Sequence, residues 1–326
     1  MAKITILGAG GWGLALALSL NESNHQVFVW SPFAEEVNAI NTTHENEKLL
    51  KGIKIPETIT VTTDISVASG SDVTVIATPS FAVRQTAAKL KEIENIGIVV
   101  NVAKGFEAET SLRLSEVIKA ELGSTPVAVL SGPSHAEEVA RKIPTMLTVS
   151  GSDEKALKTV QELFSNNSLR VYTNTDIIGV ELGGALKNII AVAAGVCDGM
   201  DLGDNSKAAL ITRGLAEMTR LGTALGANAA TFSGLSGIGD LIVTCTSVHS
   251  RNHRFGELVG KGVSVKEALE TVGTVEGYFA CKMANNLAKQ NGVEAPIISL
   301  CYELLYNNYS VDDVVVPLMT RPFKDE

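Results

Sequence analysis

The chain has 326 residues, enough for two domains, and its 45% hydrophobic and 19% charged residues are those of an ordinary globular protein. A net charge of −9 without any lysine–arginine run excludes broad binding to nucleic acid or to an anionic membrane. Cys197, Cys245, Cys281 and Cys301 form no CxxC pair and no zinc spacing, which fits a reduced, cytoplasmic compartment.

The first strand is read at Ile4-Thr5-Ile6-Leu7. It breaks into Gly8, Gly10 and Gly13 before the helix-forming run Leu14–Leu20. G-x-G-x-x-G between strand and helix is the dinucleotide fingerprint. The first glycine allows a tight turn, the second lets backbone approach a pyrophosphate, and the third packs helix on strand. The helix N-terminus adds free N–H groups for phosphate. Residues 4–21 are uncharged, but the glycines at 8, 10, 11 and 13 and a single preceding Lys3 suit neither a signal peptide nor a membrane span. No transmembrane segment is read elsewhere.

Gln26–Trp30 reads as the second strand. It ends in Ser31-Pro32-Phe33, where an NAD-specific site usually has an acid; Glu35 and Glu36 fall in the next helix. No arginine stands there for a 2′-phosphate either, so use of both NADH and NADPH is expected. Further buried strands are read at 72–77, 97–103, 126–130 and 145–149, and a last one at 170–173. Strands alternating with helical segments predict an α/β fold with a doubly wound, mostly parallel sheet. Ligands in such sheets lie beyond the carboxyl ends of the strands, which singles out Lys104, Ser131 and Ser134. A lysine after a strand is more often a solvated loop residue, which is the other reading of Lys104; its glycine-rich flanks and strand-end place favour a role.

From Asp176 the sequence becomes helix-compatible to the end. Helices are suggested near 206–225, 235–246, 252–260, 264–271, 276–291 and 296–307. An all-helical second domain is read over 179–326, after a nucleotide-binding domain over 1–178. Gly183 and Gly184 sit in its first helix at a cost of about 1 kcal/mol each, which suggests close approach by backbone or ligand. Gly183 and Lys187 share a face. A desolvated Lys187 would have a lowered pKa and could exchange protons; a lysine whose stem merely covers apolar surface reads the same way. Asp240 and Thr244 are again i,i+4, though Asp240 would also serve as a helix cap. Ser250-Arg251-Asn252-His253-Arg254 concentrates phosphate donors, or is a solvated turn. His249 and His253 are read as surface residues and no metal site is expected.

Taken together, the chain resembles the bacterial-type NAD(P)-dependent sn-glycerol-3-phosphate dehydrogenases. The resemblance runs through GAGGWG (8–13), VAKGFEAET (102–110), SGPSHAEEVA (131–140), GVELGGALKNIIA (179–191), DNSKAALITRGLAEM (204–218), GLSGIGDLIVTCTSVHSRN (234–252) and TVEGY (274–278). It implies reduction of dihydroxyacetone phosphate by NAD(P)H to sn-glycerol 3-phosphate, a phospholipid precursor. It also implies a Rossmann-type N-terminal domain, a helical C-terminal domain and an active site in the cleft between them. Gly11 and Trp12 would contact the cofactor, with Pro32 and Phe33 along the adenosine ribose. Lys104 would touch cofactor and substrate, Gly132 and Ser134 substrate, and Ala136 cofactor. Lys187 matches the family's proton donor and acceptor. Asp240, Ser250, Arg251 and Asn252 fall on substrate positions, with Arg251 also near the cofactor; Thr274 and Glu276 fall on distal cofactor positions. Many relatives carry serine at Gly11 and histidine or arginine near Pro32. The implied partner is a small phosphorylated substrate, with no nucleic acid and no membrane insertion; a homodimer is left open.

The chemistry agrees. Hydride attack on a carbonyl builds charge on its oxygen, which a lysine must stabilise and protonate. Lys187 is the better acid, Lys104 adds positive potential, Asp240 would hold the lysines and Thr244 would supply a hydroxyl. Arg251 and Asn252 would clamp the phosphate. A β-hydroxyacid or ketopantoate-type dehydrogenase is the competing enzyme reading. A nucleotide sensor without chemistry is the non-enzymatic one, against which the paired lysines argue.

Overall fold

The computed structural model describes residues 1–320 and residue 322; the other residues of the expected 179–326 domain lie outside those described. The chain divides into two compact units, Met1–Glu181 and Leu182–Glu326.

The first unit alternates strand and helix: β1 (Lys3–Leu7), α1 (Gly11–Glu22), β2 (Gln26–Trp30), α2 (Ala34–Thr43), β3 (Ile59–Thr62), β4 (Val73–Ile76), α3 (Val83–Leu90), β5 (Ile98–Asn101), α4 (Leu114–Leu122), β6 (Val127–Ser131), α5 (Ala136–Ala140), β7 (Thr145–Gly151), α6 (Glu154–Phe164) and β8 (Leu169–Asn174). The strands form one sheet in the order β3-β2-β1-β4-β5-β6-β7-β8. Only β6 and β7 pair antiparallel. The doubly wound, mostly parallel sheet expected from the alternation is thus present.

Its central strands are near-continuous apolar runs because helices cover both faces. Ile4, Ile6, Val73, Val75 and Val100 pack with Leu14, Leu16 and Val160 in one core layer. Leu7, Ile76 and Val99 pack with Val83, Leu90, Val117 and Ile118 in the other. β3 was not expected. It is a four-residue edge strand whose Ile59 and Val61 face inward between exposed neighbours, too short a pattern to stand out from the threonines around it.

The second unit is helical. α7 (Ile177–Gly199) enters it from the first unit, followed by α8 (Gly203–Ala224), α9 (Asp240–Thr246), α10 (Arg251–Gly260), α11 (Val265–Val272), α12 (Glu276–Gln290), α13 (Pro296–Tyr306) and α14 (Val311–Met319). The suggested helices lie within a few residues of these, except that α14 was not foreseen and 235–246 splits. Its first part, Leu235–Gly239, is a wide turn with Gly237 off helical geometry (φ −98°, ψ −105°). α7 is long and apolar enough to cross a membrane, but 83% of its most apolar window is buried inside the protein. It is the core helix of this unit, buried from Leu182 through Val192.

Candidate active site

In the first unit the glycines are fixed by sterics. Gly8 has φ +130°, and a Cβ there would lie 2.6 Å from the Ala77 carbonyl oxygen. A Cβ on Gly13 would fall on the Gly8 carbonyl. At Gly10, by contrast, a Cβ would meet nothing within 4 Å. That open space stands over the start of α1, whose N-cap is Gly10 and whose first turn has neither a capping side chain nor an acid. The first N–H groups of a helix lack intrahelical partners, so these residues fit an anionic pyrophosphate. Trp12 is half-buried on the apolar layer. Pro32 and Phe33 are exposed after β2.

Gly11 opens α1. A Cβ there would be 2.8 Å from the Leu49 carbonyl oxygen and 3.5 Å from the Ala136 Cβ. Ala136, the first residue of α5, therefore stands beside the glycine turn. A serine here would be overpacked unless the Leu49 segment moved. Gly11→Ser is expected to cost about 1–3 kcal/mol of stability. Urea denaturation of the two forms checks this, and equal stabilities would show that the Leu49 segment gives way freely.

Lys104, Gly132 and Ser134 come together. The Lys104 ammonium and the Ser134 hydroxyl both donate to the Gly132 carbonyl, each at 2.9 Å. Asn101, buried at the end of β5, braces the approach to Lys104 with bonds to both the N–H and the carbonyl of Ala103. The loop beyond is anchored at Glu107, whose two carboxylate oxygens accept from Nε and Nη2 of Arg84 at 2.6 and 2.7 Å. Hydrogen bonding from Arg84 keeps the Glu107 carboxyl below its ordinary range.

In the second unit Gly183 explains itself: a Cβ there would lie 2.5 Å from the Ser236 carbonyl oxygen. The close approach expected at Gly183 is therefore made by backbone, and it brings α9 against α7. The Lys187 ammonium then donates to Asp240 Oδ1 and to Thr244 Oγ1, both at 2.6 Å. The Thr244 hydroxyl in turn donates to the Asp240 backbone carbonyl at 2.6 Å. The three side-chain-bearing residues are 6%, 1% and 5% exposed. Asp240 is not a cap; Gly239 holds that position. Burial favours the neutral amine and the carboxylate favours the ammonium, so Lys187 meets opposed influences.

Ser250 caps α10, accepting from the His253 N–H at 3.2 Å. Arg251 is exposed at the head of that helix. Asn252 is more committed than expected. Its Nδ2 donates to Asn188 Oδ1 at 2.9 Å, and its Oδ1 accepts from Gly277 N at 2.9 Å. Asn188 was not singled out beforehand, although it follows Lys187 directly. The bridge runs from α7 through α10 to the first turn of α12, where Glu276 stands next to Gly277; half-buried Thr274 precedes it. α7 and α10 also meet backbone to backbone. Cβ atoms on Gly195 and Gly256 would fall on the carbonyls of His253 and Val192, and Gly199 lies against Gly260.

His253 is a correction. It is not a surface residue but 8% exposed, with Nε2 2.7 Å from Asp198 Oδ2. Lys207 holds the same carboxylate at 2.9 Å. Desolvation pushes the Asp198 carboxyl up, but the Lys207 and His253 hydrogen bonds outweigh it and leave it below its ordinary range. A lone histidine in a polar run gave no hint of this, since Asp198 is 55 residues away. His249 is exposed, as expected. Two open cavities near Gly97 and Pro126, about 600 and 460 Å³, include none of these residues.

Comparison with known proteins decides the family. Residues 3–157 match the NAD-dependent glycerol-3-phosphate dehydrogenase N-terminus, and residues 176–316 the C-terminus of the same family. A glycerol-3-phosphate dehydrogenase (NAD(P)+) of Bacillus subtilis is 50% identical over 327 residues, covering 98% of this chain and 95% of that protein. The chain belongs to the NAD-dependent glycerol-3-phosphate dehydrogenase family. A second relative of the same name, from Moorella thermoacetica, is 51% identical over 323 residues, 98% of this chain and 96% of that one. The crystal structure of glycerol-3-phosphate dehydrogenase from Coxiella burnetii superposes with a TM-score of 0.94 at 38% identity, covering 98% and 99% of the two chains. The protein is accordingly an NAD(P)-dependent oxidoreductase of this family, with a Rossmann-type first unit.

Proposed function

We propose that this dehydrogenase reduces dihydroxyacetone phosphate to sn-glycerol 3-phosphate, reversibly, with NAD(P)H. The observation that carries the proposal is the buried Lys187–Asp240–Thr244 group in a chain that matches both halves of the family. When bound, the nicotinamide supplies the hydride to the substrate's carbonyl carbon. Lys187 would hold a proton at the carbonyl oxygen, stabilise its growing charge and complete the alcohol. Asp240 and Thr244 fix the ammonium at two of its hydrogens. Arg251 and Ser250, at the head of α10, would receive the substrate phosphate, because an arginine fork and a helix N-terminus both suit phosphate oxygens. Asn252 keeps one amide hydrogen for the same purpose after its bond to Asn188.

In the first unit, Gly8 through Gly13, with Ala136 beside them, would take the pyrophosphate, and Pro32 and Phe33 the adenosine ribose. Lys104, held at the Gly132 carbonyl, would serve cofactor and substrate together, with Ser134 at the substrate. Thr274 and Glu276 would make the distal cofactor contacts. The product would feed glycerophospholipid synthesis in the cytoplasm.

The test is spectrophotometric. Loss of NADH or NADPH absorbance is expected with dihydroxyacetone phosphate, and turnover of non-phosphorylated 2- and 3-keto acids should be lower by several decades. Equal turnover of the keto acids would assign the enzyme to the ketopantoate-type class. Tight dinucleotide binding without any reduction would favour a sensor.

A further inference from the structure

The sequence places no acid at the end of β2, yet the structure brings one there. Gly8 N donates to Trp30 O at 2.8 Å, so the end of β2 lies beside the first glycine of the turn. Ser31, directly after β2, is 1% exposed. Its hydroxyl donates to Glu36 Oε2 at 2.5 Å. Glu36 belongs to the first turn of α2, but its side chain reaches back along the helix to the strand it follows. The other carboxylate oxygen is 3.5 Å from the Asn46 amide nitrogen, which also donates to the carbonyl of Ala9 at 3.2 Å. Asn46 is 8% exposed. One buried amide thus spans the carboxylate and the glycine turn.

We propose that Glu36, delivered from α2 and held by Ser31 and Asn46, grips the adenosine ribose hydroxyls and makes the enzyme favour NADH over NADPH. The inference rests on the dinucleotide reading of this same turn. In dinucleotide folds an acid at the carboxyl end of the second strand accepts from the ribose 2′-hydroxyl. Glu36 provides that group one element later. A carboxylate offers about four lone-pair directions, and the protein uses two of them, which leaves acceptors for a ribose diol. A 2′-phosphate in the same place would set its negative charge against Glu36, and residues 31–36, SPFAEE, contain no cation to offset it. Use of both cofactors, expected from the bare strand end, becomes unequal use.

The test measures dissociation constants of NADH and NADPH separately, by nucleotide fluorescence on the full chain without substrate. The parent protein is expected to bind NADH more tightly. Glu36→Gln keeps the size of the side chain and removes its charge. It should shift the NADPH-to-NADH affinity ratio towards NADPH by about ten- to a hundredfold, the worth of a hydrogen bond to a charged group. Ser31→Ala leaves the charge but frees the carboxylate, and should shift the ratio less and in the same direction. A Glu36→Gln ratio within about twofold of the parent's, with both nucleotides still bound, overturns the role of Glu36 alone. A parent that prefers NADPH overturns it as well. A parent that binds neither nucleotide overturns the dinucleotide reading and this inference together.

Discussion

Lys187→Ala is expected to bind dinucleotide as the parent does and to lose turnover by at least ~10²–10⁴-fold, the usual worth of a positioned proton donor. Lost electrostatic stabilisation of the carbonyl oxygen adds to that. On sequence alone the substitution looks harmless to folding, since alanine is the better helix former. The contact with Asp240 changes this. Removing the ammonium leaves a carboxylate 1% exposed without its 2.6 Å cation. Breaking a buried pair from one side costs about 3–5 kcal/mol. Lys187→Ala should therefore melt earlier than the parent, and a Lys187→Ala, Asp240→Asn double variant should regain much of that stability and none of the turnover. Lys187→Arg should not rescue activity, because a guanidinium does not release its proton near neutral pH. Thermal melts beside steady-state rates separate the two effects. Lys104→Ala is the control: slower, with a clearer loss of cofactor and substrate affinity. Near-normal turnover in Lys187→Ala with a dead Lys104→Ala would reverse the two roles.

Arg251→Ala is expected to act differently. Arg251 is exposed at the first position of α10, so its removal should leave the melting temperature nearly unchanged. kcat/KM for dihydroxyacetone phosphate should fall by about 10²-fold or more, as a charge-assisted clamp is lost and the carbonyl is no longer held in line. Turnover of dihydroxyacetone, which lacks the phosphate, should barely change. Equal losses for both substrates would remove Arg251 from the phosphate site.

Much of this was legible in the chain itself. Strands β1, β4, β5 and β6 are apolar because both their faces are covered, and such runs are conspicuous. Lys187, Asp240 and Thr244 stood out because polar groups at helical spacing interrupt an apolar face. Other partnerships were not legible. Glu36 looks like an ordinary first-turn acid until its rotamer is seen to return to Ser31. Asn252 looks like a free donor until Asn188 and Gly277 are found on either side of it. His253 looks solvated until Asp198 arrives from another helix. Each depends on which distant backbone lies alongside, and periodicity along one segment carries no such information.

The glycine contacts between α7 and α10 act as a gauge. Where Gly195 meets the carbonyl of His253, and Gly256 that of Val192, no layer of side chains separates the helices. Side chains can rotate to take up slack; two backbones in contact cannot. Lys187 rides on one helix and Arg251 on the other, so main-chain geometry sets the spacing of the two backbones that carry the proposed proton donor and the proposed phosphate-holding cation. A misplacement of about 1 Å can cost around 10² in rate, and one extra methylene exceeds that. The helix pair should therefore measure the distance from carbonyl to phosphate and reject a homologue lengthened by one carbon, even where there is room to hold it.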